Sequence, residues 1–153
     1  ILYVNWLIKR HLKLQRHKKA PCYVIGADTI VAFENRILGK PKDSADAVRM
    51  VSMLQGSTHQ VYTGVTLIEV CSDGSLREKS FYEETNVHVC QMTKDEIASY
   101  VATGEPLDKA GAYGIQGRGA VLVEKIEGCY NNVVGLPLTR LYQMMAQIGV
   151  KGF

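Results

Sequence analysis

VYTGVTLIEV (61–70), SDGS (72–75) and LREKSFYEETNVHVC (76–90) read together as two long β-strands joined by a tight turn. Val, Thr, Ile and Tyr crowd the first run, and Ser72-Asp73-Gly74-Ser75 supplies turn chemistry. In the return strand Phe81, Glu83, Thr85, Val87 and Val89 alternate with Tyr82, Glu84, Asn86, His88 and Cys90. A period of two places the two sets on opposite faces of a sheet. His88 then falls on the strand surface and is expected to be no ligand.

Helices are expected on both sides of this pair. Upstream, Asp43 or Ser44 can cap a helix in which Ala47, Met50, Val51 and Leu54 share one face, and Gly56 closes it. Before it, residues 23–25 form a short β-prone run ending at Gly26. A second run over 29–33 turns at Glu34-Asn35 into 36–38. Downstream, Thr93-Lys94-Asp95-Glu96 is a capping box, and Ile97, Tyr100 and Val101 make the buried stripe of a helix that Gly104 stops. The stretch 111–119 holds four glycines and is no regular element. Strands are expected over 120–126 and 129–134, with Glu127-Gly128 as the turn between them. Pro137 then opens an amphipathic helix bearing Leu138, Leu141, Tyr142, Met145 and Ile148. The pattern is mixed α/β with several antiparallel pairs.

The 153 residues suffice for one domain or two small lobes sharing a core. Residues 1–20 hold six of the 18 Lys/Arg and no acid, which leaves twelve basic against fifteen acidic side chains for the rest. The division expected is a basic, poorly ordered head at 1–20 and a domain at 21–153. Such a head could meet nucleic acid or an acidic membrane, yet only Tyr3 and Trp6 interleave its charges, so neither partner is expected. No apolar run nears the ~18 residues of a membrane-spanning helix. Cys22, Cys71, Cys90 and Cys129 lie far apart without a C-x-x-C pair, against zinc and against a disulfide framework. A soluble cytoplasmic protein with reduced thiols is the expectation.

Four polar clusters beside glycines are the candidate chemistry: Gly26-Ala27-Asp28-Thr29, Gly39-Lys40-Pro41, Asp108-Lys109-Ala110-Gly111 and Gly114-Ile115-Gln116-Gly117. A carboxylate, two lysines, an amide and glycine-rich backbone suit a phosphate ester with a hard cation. Each alone has an ordinary structural reading: Asp28 as a turn cap, the lysines as solvated charges, Gln116 as a loop hydrogen bonder. Neither a Walker loop nor a dinucleotide fingerprint is present.

The words IGADTIV (25–31), GKP (39–41), THQVYTGV (58–65), GEPLDKAGAYGIQG (104–117) and NVVGLPL (132–138) closely resemble the Maf family of nucleoside triphosphate pyrophosphatases, in the family's order from about Tyr23 to Gly149. The resemblance implies a Maf-like (ITPase-like) α/β fold: an elongated mixed sheet with flanking helices and two lobes. It implies hydrolysis of nucleoside triphosphates to monophosphate and pyrophosphate with a divalent metal, magnesium or manganese. Asp28 would be the proton acceptor or metal-linked base, Lys40 and Lys109 cations near the phosphates with Asp108 alongside, and Thr29 and Gln116 determinants of base specificity. That Thr/Gln pair looks like the branch acting on dTTP and UTP. Homodimers occur in the family, and a non-catalytic nucleotide binder linked to septum formation is the alternative.

The family normally opens with a strand, a Ser-Pro-Arg-Arg loop and a helix, followed by an early glutamate at the metal. Residues 1–20 contain no Ser, Pro or acid and no such arginine pair. Charge-assisted hydrogen bonds contribute about 1.5–3 kcal/mol each. Losing two or three from the transition state corresponds to a rate loss on the order of 10³. The expectation is therefore a family member without its N-terminal strand-loop-helix, weak or inactive as it stands.

Overall fold

The computed structural model describes residues 22–150. The expectation for the basic head at 1–20 lies outside the described residues. One five-stranded antiparallel sheet runs through the molecule in the order β2-β1-β3-β4-β5. Its centre is the long hairpin read from the sequence, β3 (Thr58–Val70) and β4 (Leu76–Val89), in register from Thr58↔His88 to Val70↔Leu76. The turn closes as its residues require. The Asp73 carboxylate accepts from the Ser75 amide at 2.8 Å, and Gly74 takes φ +81°.

β1 (Cys22–Phe33) pairs with β3 from Cys22↔Val70 to Ala32↔Gln60. The expected break at Gly26 is absent, because Gly26 stands opposite Thr66 within an unbroken ladder. Asp28 is therefore a mid-strand residue facing Gly64 and not a group beyond a strand end. Glu34 and Asn35 both adopt positive φ, the left-handed pair that a two-residue hairpin into β2 (Arg36–Leu38) needs.

All helices with a buried stripe pack on the face that carries Val61, Val65, Val87 and Val89. Ala47, Met50, Val51 and Leu54 of α1 (Ser44–Leu54) and Ile97, Tyr100 and Val101 of α2 (Lys94–Ala102) form one cluster with Val31, Val61, Val87 and Val89. Asp43 caps α1 by accepting from the Asp46 amide at 2.8 Å, and the Thr93–Glu96 capping box of α2 is complete. A second, smaller cluster lies further along the same face, where Val65 and Phe81 meet Leu141 of α4 (Leu138–Gln147). Two cores on one sheet are the physical content of the expected lobes. Among the described residues no helix is long and apolar enough to cross a membrane.

Three local readings are corrected. Residues 120–122 belong to a 3-10 turn (Gly117–Leu122) that points Val121 outward at 79% exposure, and β5 spans only Val123–Glu127. Residues 130–134 form helix α3 (Tyr130–Val134), not a strand. Tertiary bonds override the β-preference of Val133 and Val134: the buried Asn132 side chain donates to the Val61 carbonyl (3.0 Å) and the Thr85 hydroxyl (2.9 Å), which two neighbouring strands supply. Finally, Leu141 is the buried residue of α4, while Leu138 and Tyr142 are exposed; Pro137 stands one position earlier than expected, as the cap.

Candidate active site

β1 carries Asp28 and Thr29 to the stretch of sheet between the two cores. Thr29 shares a face with Val31 and stands opposite Thr63 in the ladder. The Thr29 and Thr63 hydroxyls lie 2.8 Å apart, and Thr63 donates to the Asn132 carbonyl at 2.9 Å. Asn132 is fully buried, so a continuous chain of bonds ties the pocket floor to α3. Asp28 is exposed, with one carboxylate oxygen accepting from the Thr29 amide at 3.1 Å.

The remaining groups come from turns. Gly39-Lys40-Pro41 follows β2, with Pro41 buried and the Gly39 carbonyl accepting from the Gly111 amide at 3.1 Å. That bond fastens the Lys40 turn to the 3-10 turn Ala110–Ala112, where Gly111 takes φ +71° and a Cβ would stand 3.1 Å from the Val31 methyls. Lys109 pairs with Asp108 at 2.7 Å, and this bond holds the Asp108 carboxyl below its ordinary range. The Lys109 stem lies across Gly114, where a Cβ would stand 2.9 Å from its Cδ.

Asp28, Thr29, Lys40, Lys109 and Gln116 all line one open cavity of about 420 Å³. Its apolar walls include Val31, Val61, Ile115, Val133 and Val134, and Tyr113 closes one side. A pocket of this size, with apolar walls and several convergent polar groups, fits a small organic ligand. Asp108 is the one candidate outside the lining; 77% of its side chain is exposed, and it meets the pocket only through Lys109.

Several supporting residues went unread in the sequence. The Tyr113 hydroxyl lies 2.7 Å from Nε2 of His59, which is fully buried, and the two rings meet nearly at right angles, 5.2 Å between centroids. Burial, with a smaller contribution from His88, pushes the His59 pKa down to about 4, so the ring is neutral at pH 7. The glycine-rich loop bearing Gln116 is held by Glu105, whose carboxylate accepts from the Arg118 amide (2.9 Å) and the Gly119 amide (2.8 Å). These bonds hold the Glu105 carboxyl below its usual range. Glu105 stands inside the GEPLDKAGAYGIQG word, but nothing in its spacing signals that it grips amides thirteen and fourteen residues on.

Among the described residues no three His, Cys, Asp or Glu side chains gather as a metal cage. Asp28 is the carboxylate the pocket offers. A hard divalent cation held by one or two carboxylates, with phosphate oxygens and water completing its shell, matches that donor set.

The family model "Maf-like protein" matches residues 5–148, so the match extends upstream of Tyr23 into the basic head. The dTTP/UTP pyrophosphatase of Agathobacter rectalis is 58% identical over 127 residues, covering 83% of this chain and 62% of the relative. That of Carboxydothermus hydrogenoformans is 55% identical over 126 residues, 82% of this chain and 66% of the relative. That of Bacillus pumilus is 45% identical over 150 residues, 98% of this chain and 77% of the relative, taking in nearly all of the head. The chain thus spans just under two thirds of the first two relatives. With its sheet, its two cores and the words that line its cavity accounted for, this chain belongs to the Maf family.

Proposed function

We propose that the pocket binds a pyrimidine nucleoside triphosphate, dTTP or UTP, and hydrolyses it to the monophosphate and pyrophosphate. The observation that carries this reading is the convergence of Asp28, Lys40, Lys109 and Gln116 on one cavity. The relatives' common name, dTTP/UTP pyrophosphatase, supports it.

Water attacks the α-phosphorus as pyrophosphate leaves, so negative charge grows on the leaving oxygens. Lys40 and Lys109 approach from two sides and neutralise it electrostatically. Among the described residues Asp28 is the only carboxylate lining the pocket, and its side chain is exposed. It orients the attacking water, accepts its proton, and would hold the divalent cation together with the substrate's phosphates. Bound there, magnesium or manganese supplies Lewis-acid polarisation of the phosphoryl oxygens. Asp108 acts through its ion pair, fixing the direction of Lys109. Gln116 presents an acceptor and a donor, the complement of the N3–H and O4 edge shared by uracil and thymine. Thr29, fixed by Thr63, shapes the floor beneath the nucleotide. The same reading puts the protein in the cytoplasm with its substrates.

The test is release of pyrophosphate and monophosphate from dTTP and UTP with magnesium, for this chain and for Asp28→Asn. Turnover, slow because residues 1–20 hold no Ser-Pro-Arg-Arg grip on the triphosphate, is expected, and the substitution should abolish it at unchanged melting temperature. Robust turnover untouched by the substitution would refute the site. Stabilisation by dTTP without any product would replace the enzyme by a nucleotide binder.

A further inference from the structure

Gln116 sits in a loop, 114–119, that has no strand or α-helix to hold it. Its own side chain is exposed and makes no hydrogen bond among the described residues. A flexible side chain on a free loop would discriminate poorly between bases, because ordering it on binding would consume the energy of the contacts it makes. Something must fix the backbone beforehand.

Both ends of this loop converge on one pair of side chains. At its far end, Glu105 Oε1 accepts from the Gly119 amide at 2.8 Å and Oε2 from the Arg118 amide at 2.9 Å. At its near end, the Gly114 amide donates to the Tyr100 hydroxyl at 3.3 Å, and that hydroxyl donates onward to Glu105 Oε1 at 3.2 Å. The loop has shed side chains to admit this grip. A Cβ on Gly117 would lie 2.7 Å from Glu105 Oε2, and one on Gly119 would lie 2.6 Å from the Tyr100 hydroxyl and collide with the Gly114 carbonyl. Gly117 also takes φ +69°, which glycine adopts without strain. Burial pushes the Tyr100 hydroxyl up to about 12, so it stays a donor across the physiological range. The clamp reaches a second pocket group as well, since the Lys109 stem lies on Gly114.

We propose that Glu105, with Tyr100, is the positioning pair for base selection: it sets the 114–119 loop so that Gln116 meets the nucleobase edge and Gly114 supports Lys109. This inference rests on the reading of the pocket as a pyrimidine nucleotide site. It assigns no contact between Glu105 and substrate; the carboxylate acts through the loop.

Glu105→Gln keeps the side chain's length but replaces one acceptor oxygen with an NH2 that faces a backbone N–H. Tyr100→Phe keeps the ring and removes the hydroxyl that links the Gly114 amide to Glu105 Oε1. Two measurements are made on each full chain: hydrogen–deuterium exchange of peptides covering 114–119, and kcat and KM, or equilibrium binding, for dTTP against dCTP. Cytosine reverses the donor and acceptor at the edge that Gln116 would read, so the Gln116 amide must turn over to meet it. Comparing dCTP with dTTP therefore reports how firmly the loop presents that amide. For Glu105→Gln the loop peptides should exchange faster while the β3–β4 peptides keep their protection. The preference for dTTP should fall about tenfold, the size of one misplaced hydrogen bond, and mainly through KM. Tyr100→Phe should show the same change, smaller. Unchanged loop exchange overturns the clamp. A loosened loop with undiminished preference overturns its role in selection. If the unsubstituted chain itself neither binds nor turns over dTTP or UTP, the nucleotide reading fails and base selection with it, while the exchange result still decides whether the clamp exists.

Discussion

On the sheet side of the pocket, Thr29 rests on Thr63, Thr63 on the Asn132 carbonyl, and Asn132 on Val61 and Thr85, all but Thr29 buried. On the loop side, six residues from 114 to 119 depend on one half-exposed carboxylate and one tyrosine hydroxyl. The floor is thus woven into the core, and the wall is pinned to it from outside. Damage to the floor should show first as lost stability, because buried donors and acceptors lose their partners. Damage to the wall should show first as lost discrimination, because its bonds lie near solvent and the core beneath them is intact. The proposed catalytic group belongs to neither pattern: Asp28 stands on the floor strand, yet its side chain is exposed and carries little of the fold.

The largest effect is expected at that exposed group. Asp28→Asn should lower pyrophosphate release from dTTP by about 10³-fold, the upper part of the range for a positioned base, with the melting temperature unmoved. A large drop in melting temperature instead would make Asp28 a structural residue and erase the distinction between the floor and the group it carries. Next comes the floor itself. Asn132→Leu strands the Val61 carbonyl and breaks the link to Thr85, and should cost about 2–4 kcal/mol in urea unfolding. A loss under about 0.5 kcal/mol, the range of an ordinary surface substitution, would mean the floor is no more deeply woven than the loop.

A third, smaller effect is read from acid. Buried His59 has its pKa lowered from 6.5 to about 4, so as pH falls below 6.5 the unfolded chain takes up this proton before the folded one. Acid therefore favours unfolding, starting near pH 6.5 and levelling off below about 4, by up to about 3 kcal/mol. Urea midpoints between pH 7 and pH 4 should fall accordingly, and fall less in His59→Gln. An equal slope in both proteins would show that His59 does not titrate as its burial requires. The clamp substitutions should move stability least, and selectivity instead.

Legibility in the sequence followed how local each cause was. The β3–β4 turn, the α1 cap and the α2 capping box are each written within four or five consecutive residues, and each stands where the sequence put it. Gly26 misled because a glycine in a strand looks like an end until its partner Thr66 is known. Residues 129–134 misled because Val133 and Val134 favour a strand, while the deciding bonds come from Val61 and Thr85, far away in the chain. The pocket's polar groups were visible as residue types beside glycines. Its support was not: a Glu–Pro turn gives no local hint of amides it will bind, nor does His59 of Tyr113, fifty-four residues on. The basic head looked foreign by composition, yet the family match begins at residue 5.

The central claim is that residues from three separate stretches, 26–31, 39–41 and 108–117, form one nucleotide site. A non-hydrolysable UTP analogue with magnesium, followed by hydrogen–deuterium exchange, tests it directly. Protection is expected together in peptides covering 26–31, 39–41 and 108–117, with the distal hairpin at 67–79 unchanged. Protection confined to one of those stretches, or centred on the distal hairpin, would contradict it.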